Sequence, residues 1–167
     1  MNDDPRAIAR ASLDALGIGY ESMPCDPELA DTMVFCERYG VALEDSANTI
    51  LVKAKTGGER FVACVLLADS RLDVNHTVRQ KIASRRVSFA SAEETQRLTG
   101  MEIGGVTPFG LPVEMPLWVD ARVMERAQIV LGGGDRASKL KLAPSSLLTL
   151  GQAEVVEGLA NRIEPAP

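Results

Sequence analysis

The stretch Asn48-Thr49-Ile50-Leu51-Val52-Lys53-Ala54-Lys55-Thr56-Gly57-Gly58-Glu59-Arg60-Phe61-Val62-Ala63-Cys64-Val65-Leu66-Leu67 holds two apolar runs, 49–55 and 61–67, on either side of a Gly-Gly turn. Glycine tolerates the positive φ that tight reversals require, so the two runs read as a β-hairpin. Neither run alternates cleanly between apolar and polar residues. Both faces must therefore be covered, which places these strands in the middle of a sheet rather than at its edge.

Outward from the hairpin, Ala9, Leu13 and Leu16 recur at helical spacing before Gly17, and Leu29, Met33 and Cys36 repeat the pattern up to Gly40. These predict two helices. On the C-terminal side, Val78 and Ile82 suggest a short helix, followed by a brief strand at 87–89. Ser91 and Glu94 are spaced as a capping box, and Gly100 is placed as the stop of the helix they open. Strands are expected at 115–119, 127–131 and 138–142, and a last helix beginning near Pro144. There is no internal repeat, linker or low-complexity tract. The expected architecture is a single mixed α/β (α+β) domain over 1–167, with a curved, mixed, mainly antiparallel sheet and surrounding helices.

Composition excludes several classes. At 167 residues, with 46% hydrophobic residues, the chain can bury a core without staples, and no apolar run approaches the roughly 20 residues needed to span a bilayer. The acidic start Met1-Asn2-Asp3-Asp4-Pro5 is unlike an export signal, so a cytoplasmic protein with no membrane partner is expected. Cys25, Cys36 and Cys64 are odd in number and lack metal-ligand spacing, which points to packed, reduced thiols and no metal. The single histidine, His76, lies where a helix begins and reads as a capping residue, which leaves a serine-hydrolase triad without its base. Dinucleotide and phosphate-loop fingerprints are absent, so no cofactor is expected.

Net charge is −5, but residues 1–50 hold ten acids against three bases, while residues 51–167 hold thirteen acids against fifteen bases. Arg71, Arg79, Lys81, Arg85 and Arg86 cluster in sequence, and Arg136, Lys139 and Lys141 form a second group. They are candidates for a phosphate backbone; a solvated helix face is the competing explanation.

The loop Gly104-Gly105-Val106-Thr107-Pro108-Phe109-Gly110 lies between the capped helix and the Trp118 strand. Gly-Gly followed by Pro is ordinary turn chemistry, yet it also suits a rigid loop that presents backbone N–H groups to an anion or carbonyl. Over roughly residues 8 to 160 the chain resembles the YbaK family, which includes the editing domain of bacterial prolyl-tRNA synthetases and its free-standing trans-editing relatives. The resemblance rests on Gly104, Gly105 and Pro108 as a Gly-x-x-x-Pro loop, the 48–67 hairpin, Arg71-Leu72-Asp73, and Gly132-Gly133-Gly134 before Lys139-Leu140-Lys141-Leu142.

That resemblance implies a trans-acting aminoacyl-tRNA deacylase, with aminoacyl-tRNA as partner and an aminoacyl-tRNA synthetase as a possible second one. The ester is already activated, so proximity and N–H groups from Gly104, Gly105, Val106 and Thr107 facing the oxyanion would suffice. Pro108 would stiffen the loop; Phe109, Gly133, Gly134 and Lys139 would line the substrate site. The family's lysine at the start of the first hairpin strand is Asn48 here, before Thr49-Ile50. Lys53, an odd number of residues further on, should point to the opposite face. Either another base such as Lys139 or Arg136 enters the site, the substrate differs, or the chain is a catalytically silent module that binds an aminoacyl-tRNA end, a nucleotide or a protein.

Overall fold

The computed structural model describes residues 4–164; Met1, Asn2 and Asp3, part of the acidic start, and residues 165–167 lie outside the described residues. Helix α1, Pro5–Ala15, opens with Asp4 accepting from the Arg6 N–H and with proline at its first position, where no N–H is needed. It buries Ala9 and Leu13. Leu16 falls beyond the last turn and stands 40% exposed, contrary to the expected stripe. Strand β1, Glu21–Pro24, follows and was not legible in its mostly exposed residues.

Helix α2, Thr32–Tyr39, ends at Gly40 in the left-handed conformation (φ 70°). Its inward residues are Phe35 and Cys36, whereas Met33, expected inside, is 62% exposed. Phe35 takes the inner position, packing with Cys25, Ala30 and Val130, and its ring lies 5.2 Å from the buried Lys139 ammonium.

The hairpin forms as expected. Strand β2, Ala47–Ala54, pairs antiparallel with β3, Arg60–Leu67, with Asn48 opposite Leu66 and Ala54 opposite Arg60. Next come β4, Ser70–Leu72; a π-helical turn, Val74–Val78, running into the single turn α3, Arg79–Lys81; and β5, Val87–Phe89. Helix α4, Ala92–Thr99, carries the complete Ser91/Glu94 capping box and ends at a left-handed Gly100. Strand β6 begins at Leu117 rather than Met115, since Pro116 has no N–H to give a ladder. Strands β7, Ile129–Gly132, and β8, Ser138–Leu142, complete the middle of the chain. Where a last helix was expected there is a six-residue 3₁₀ turn, Pro144–Thr149, and then β9, Ala153–Val156, and β10, Ala160–Arg162. These strands are too short to show a period.

Five of the seven strand pairings among the described residues are antiparallel. They make not one sheet but a five-stranded sheet ordered β5-β2-β3-β6-β9, a three-stranded β1-β8-β7 and a two-stranded β10-β4. Val62 through Leu67 are all buried because both faces of the large sheet are covered. One face packs Leu51, Val65 and Leu117 against Leu13, Phe109 and Leu140; the other packs Val52, Cys64 and Trp118 against Val78, Ile82 and Leu159. Cys64 is inert there, its thiol pushed up to about 12 by burial.

Candidate functional site

The site arises where the sheets part. Ser46, just before β2, bridges Val130 of β7, and five residues on the Ala90 N–H bonds to the Leu51 carbonyl. Between these two points the outer edge of β2 faces no strand, because β5 pairs only with Val52–Ala54 and β7 turns to β8. A cavity of about 290 Å³ fills the gap. Its walls include Asn48 and Thr49 from β2, Thr95 from α4, Gly104 and Val106 from the loop, Gly132 from β7 and Lys139 from β8.

Three consecutive peptide units of the loop are pinned by their carbonyls. The Ile103 carbonyl accepts from Arg136 Nη1 at 2.9 Å, the Gly104 carbonyl from Lys139 Nζ at 2.9 Å, and the Gly105 carbonyl from the Gly134 N–H at 2.6 Å. The peptides are planar and trans, so each N–H points away from its held carbonyl. Gly105 N–H is consumed by the Glu102 carbonyl at 2.9 Å, and Thr107 N–H is directed at Met101 sulfur at 3.5 Å. The N–H groups of Gly104 and Val106 donate to no protein atom among the described residues. The four-donor expectation thus narrows to two unpaired N–H groups, both on residues of the cavity lining.

The glycines have reasons different from substrate approach. A Cβ on Gly104 (φ +91°) would lie 2.3 Å from Arg136 Nη1, and one on Gly105 2.2 Å from the Asp135 carbonyl oxygen. A Cβ on Gly132 would lie 2.4 Å from the Val106 carbonyl oxygen. The loop and the Gly132–Gly134 turn are interlocked at backbone contact, which only glycine permits.

Lys139 is 6% exposed and donates to the Ala30 and Gly104 carbonyls at 2.8 and 2.9 Å rather than to a carboxylate. Burial pulls its ammonium below the ordinary lysine range. It brings a positive charge to the cavity that Asn48 cannot. Thr32 Oγ1 at the start of α2 donates to Asn48 Oδ1, which turns that oxygen toward the helix. Thr49, missed in the sequence as a site residue, has its Oγ1 buried with no hydrogen-bond partner. Such a hydroxyl calls for a ligand or water.

The remaining expected site residues fall elsewhere. Thr107 and Pro108, in the second half of the loop, are buried and outside the cavity lining, and Phe109, expected to touch substrate, is fully buried in the main core. Gly133 and Gly134 stand outside the lining; a Cβ there would strike Ser138 and the Pro5 carbonyl. Lys53 points away, paired with Glu94 at 2.6 Å and Glu59 at 3.6 Å. Arg79 and Arg85 share a shallow surface depression, and Arg86 is exposed beside them where its carbonyl holds the Lys55 N–H. That group sits at the turn end of β2, about 20 Å from Asn48 at the rise of a strand. Arg71 is exposed on β4; Lys81 is engaged by Glu154 and lies 5.3 Å from the Trp118 ring; Lys141 belongs to the three-stranded sheet. His76 is exposed and bonds Asp73 at 3.1 Å, a local contact with no reach to the cavity lining.

Comparison with known proteins bears on the family and the fold. The family model described as an aminoacyl-tRNA editing domain matches residues 26–150. The chain is 29% identical over 119 residues to the multifunctional Ser/Thr-tRNA deacylase ProXp-y of Escherichia coli K12, covering 70% of this chain and 71% of that protein. It is 25% identical over 151 residues to the prolyl-tRNA editing protein ProX of Acetoanaerobium sticklandii, covering 88% and 90%. A crystal structure of a candidate trans-editing enzyme for prolyl tRNA synthetase superposes with a TM-score of 0.78 at 19% identity, over 92% of this chain and 95% of that one, a likeness of fold. With its hairpin, loop and cavity inside the matched span, the chain belongs to the aminoacyl-tRNA editing domain family.

Proposed function

We propose that this protein hydrolyses, in trans, the ester joining a small, wrongly attached amino acid to the 3′ end of a tRNA. The observation that carries the reading is the pair of unpaired N–H groups, Gly104 and Val106, on the wall of a cavity that also holds a buried lysine. Donors fixed in advance toward a developing oxyanion are each worth about 10²–10³ in kcat. Water is the nucleophile, and a neighbouring ribose hydroxyl moves the proton. The three cysteines are buried, with thiols raised above their ordinary range by burial.

The acyl group lies against Ala47, Ile50, Leu51 and Val106, with Asn48 and Thr49 as its polar partners. A cavity of about 290 Å³ suits a small side chain, and rotation of the buried, unpartnered Thr49 hydroxyl toward the cavity would meet one that carries its own hydroxyl, in keeping with the name of the E. coli relative. Lys139 takes over the charge missing at Asn48. Arg79, Arg85 and Arg86 meet the tRNA backbone away from the reacting ester, and the protein acts in the cytoplasm, free or beside a synthetase. Among the described residues no helix is long and apolar enough to cross a membrane.

The test is a deacylation screen over tRNAs misacylated with alanine, serine, threonine, cysteine and proline. Turnover of the serine or threonine esters is expected. Binding without turnover of any ester would instead identify a silent module, in which Asn48→Lys is the variant to examine for gained hydrolysis.

A further inference from the structure

We propose that Arg136 is a positioning residue for this reaction, which sharpens the Gly104 N–H by holding the other end of the same peptide unit. The inference rests on the deacylase reading for its catalytic part and on the loop geometry for its electrostatic part. Arg136 Nη1 donates to the Ile103 carbonyl at 2.9 Å, and the N–H of that peptide unit is Gly104's, one of the two free donors on the cavity wall. A guanidinium on a carbonyl draws electron density from the peptide and makes its N–H a better donor; such coupling strengthens a hydrogen bond by about 10–30%.

The guanidinium is itself held. Its Nε donates to the Pro27 carbonyl at 2.9 Å, its Nη1 also reaches Asp31 Oδ1 at 3.2 Å, and its backbone N–H donates to Glu102 Oε2 at 2.9 Å. Residue 104 must be glycine for this arrangement, because a Cβ there would lie 2.3 Å from Nη1. The second free donor is prepared in a parallel way with no side chain, the Gly105 carbonyl being held by the Gly134 N–H at 2.6 Å. One donor is thus set by backbone, the other by a cation that never enters the cavity lining.

Arg136→Gln and Arg136→Lys are the variants that decide it. Arg136→Gln is expected to lower kcat about two- to eightfold, which is 10–30%, on the logarithmic scale, of the 10²–10³ that loss of a whole oxyanion donor costs, with KM unchanged because the interaction strengthens only in the transition state. Arg136→Lys, which keeps the charge, is expected to recover part of the loss. In ¹⁵N–¹H spectra of the unliganded protein, the Gly104 amide should move in Arg136→Gln and return part of the way in Arg136→Lys while resonances of the core stay in place. Unchanged kcat in Arg136→Gln, or a fall in kcat and thermal stability together with a raised KM and shifts spread over the spectrum, would overturn the proposal in favour of a staple. Should the unaltered protein turn over no misacylated tRNA, the deacylase reading fails first; a Gly104 amide unmoved in both variants would then overturn the inference, and a selective shift would sustain its electrostatic part.

Discussion

Thr49 and Gly105 show how little a residue's type reveals of its task. Thr49 looks like any strand threonine, but its hydroxyl is buried unpartnered beside the cavity. Thr49→Val keeps the shape and removes the unmet polar atom, so thermal unfolding should be unchanged or slightly raised in temperature. If the hydroxyl reads a substrate hydroxyl, the ratio of kcat/KM for serine over alanine esters should fall about tenfold, the upper end of the roughly 0.5–1.5 kcal/mol net value of an uncharged hydrogen bond; an unaltered ratio would exclude Thr49 from selection. Gly105 looked like a place for substrate to approach, yet its missing Cβ makes room for the Asp135 carbonyl, 2.2 Å from where a methyl would stand. Gly105→Ala should therefore destabilise the fold by about 1–3 kcal/mol in urea unfolding as the two turns are forced apart. Full stability with lost activity would restore the substrate-approach explanation.

At the scale of elements, α4 couples the hairpin to the loop that follows it. Its N-terminal Glu94 accepts from Ser91 N–H at 3.0 Å and from Lys53 Nζ at 2.6 Å, so its carboxyl is held at about 2, chiefly by the Lys53 hydrogen bond. A carboxylate depressed in the folded state contributes stability above its unfolded value of about 4.3 and loses it as pH falls toward the folded one. Urea midpoints should thus decline between about pH 5 and pH 2, and Glu94→Gln should flatten that part of the profile; a parallel decline in the variant would show that other groups carry it. The helix was legible to the residue because its signals, Ser91, Glu94 and Gly100, act within one turn. Helix α2 ends at Gly40 and buries Cys36 as expected, but it starts at Thr32, Leu29 lying in a separate 3₁₀ turn, and Phe35 rather than Met33 turns inward because Cys25, Ala30 and Val130 are there to meet it. The 3₁₀ turn at Pro144–Thr149 and the two short strands after it gave no periodic signal at all.

Across the whole molecule, the cavity and the basic group lie at opposite ends of β2, so a tRNA that meets both must lie along the sheet. Replacing Arg85 and Arg86 together by glutamine should weaken tRNA binding and flatten its salt dependence by roughly 0.7–0.9 log unit per lost contact while leaving kcat intact; an unchanged slope would mean that the backbone is met elsewhere. The hairpin, the capped helix, the loop and the family can all be read from the chain before it folds, because each rests on neighbours within a few residues or on a motif in fixed order. Tertiary structure alone decided that Phe109 is core and that Arg136 and Lys139 hold the loop's carbonyls. Those contacts join residues 33 and 35 positions apart. Local propensity carries no information about partners so distant, and they are fixed only when burial brings β8, the glycine turn and the loop into one wall.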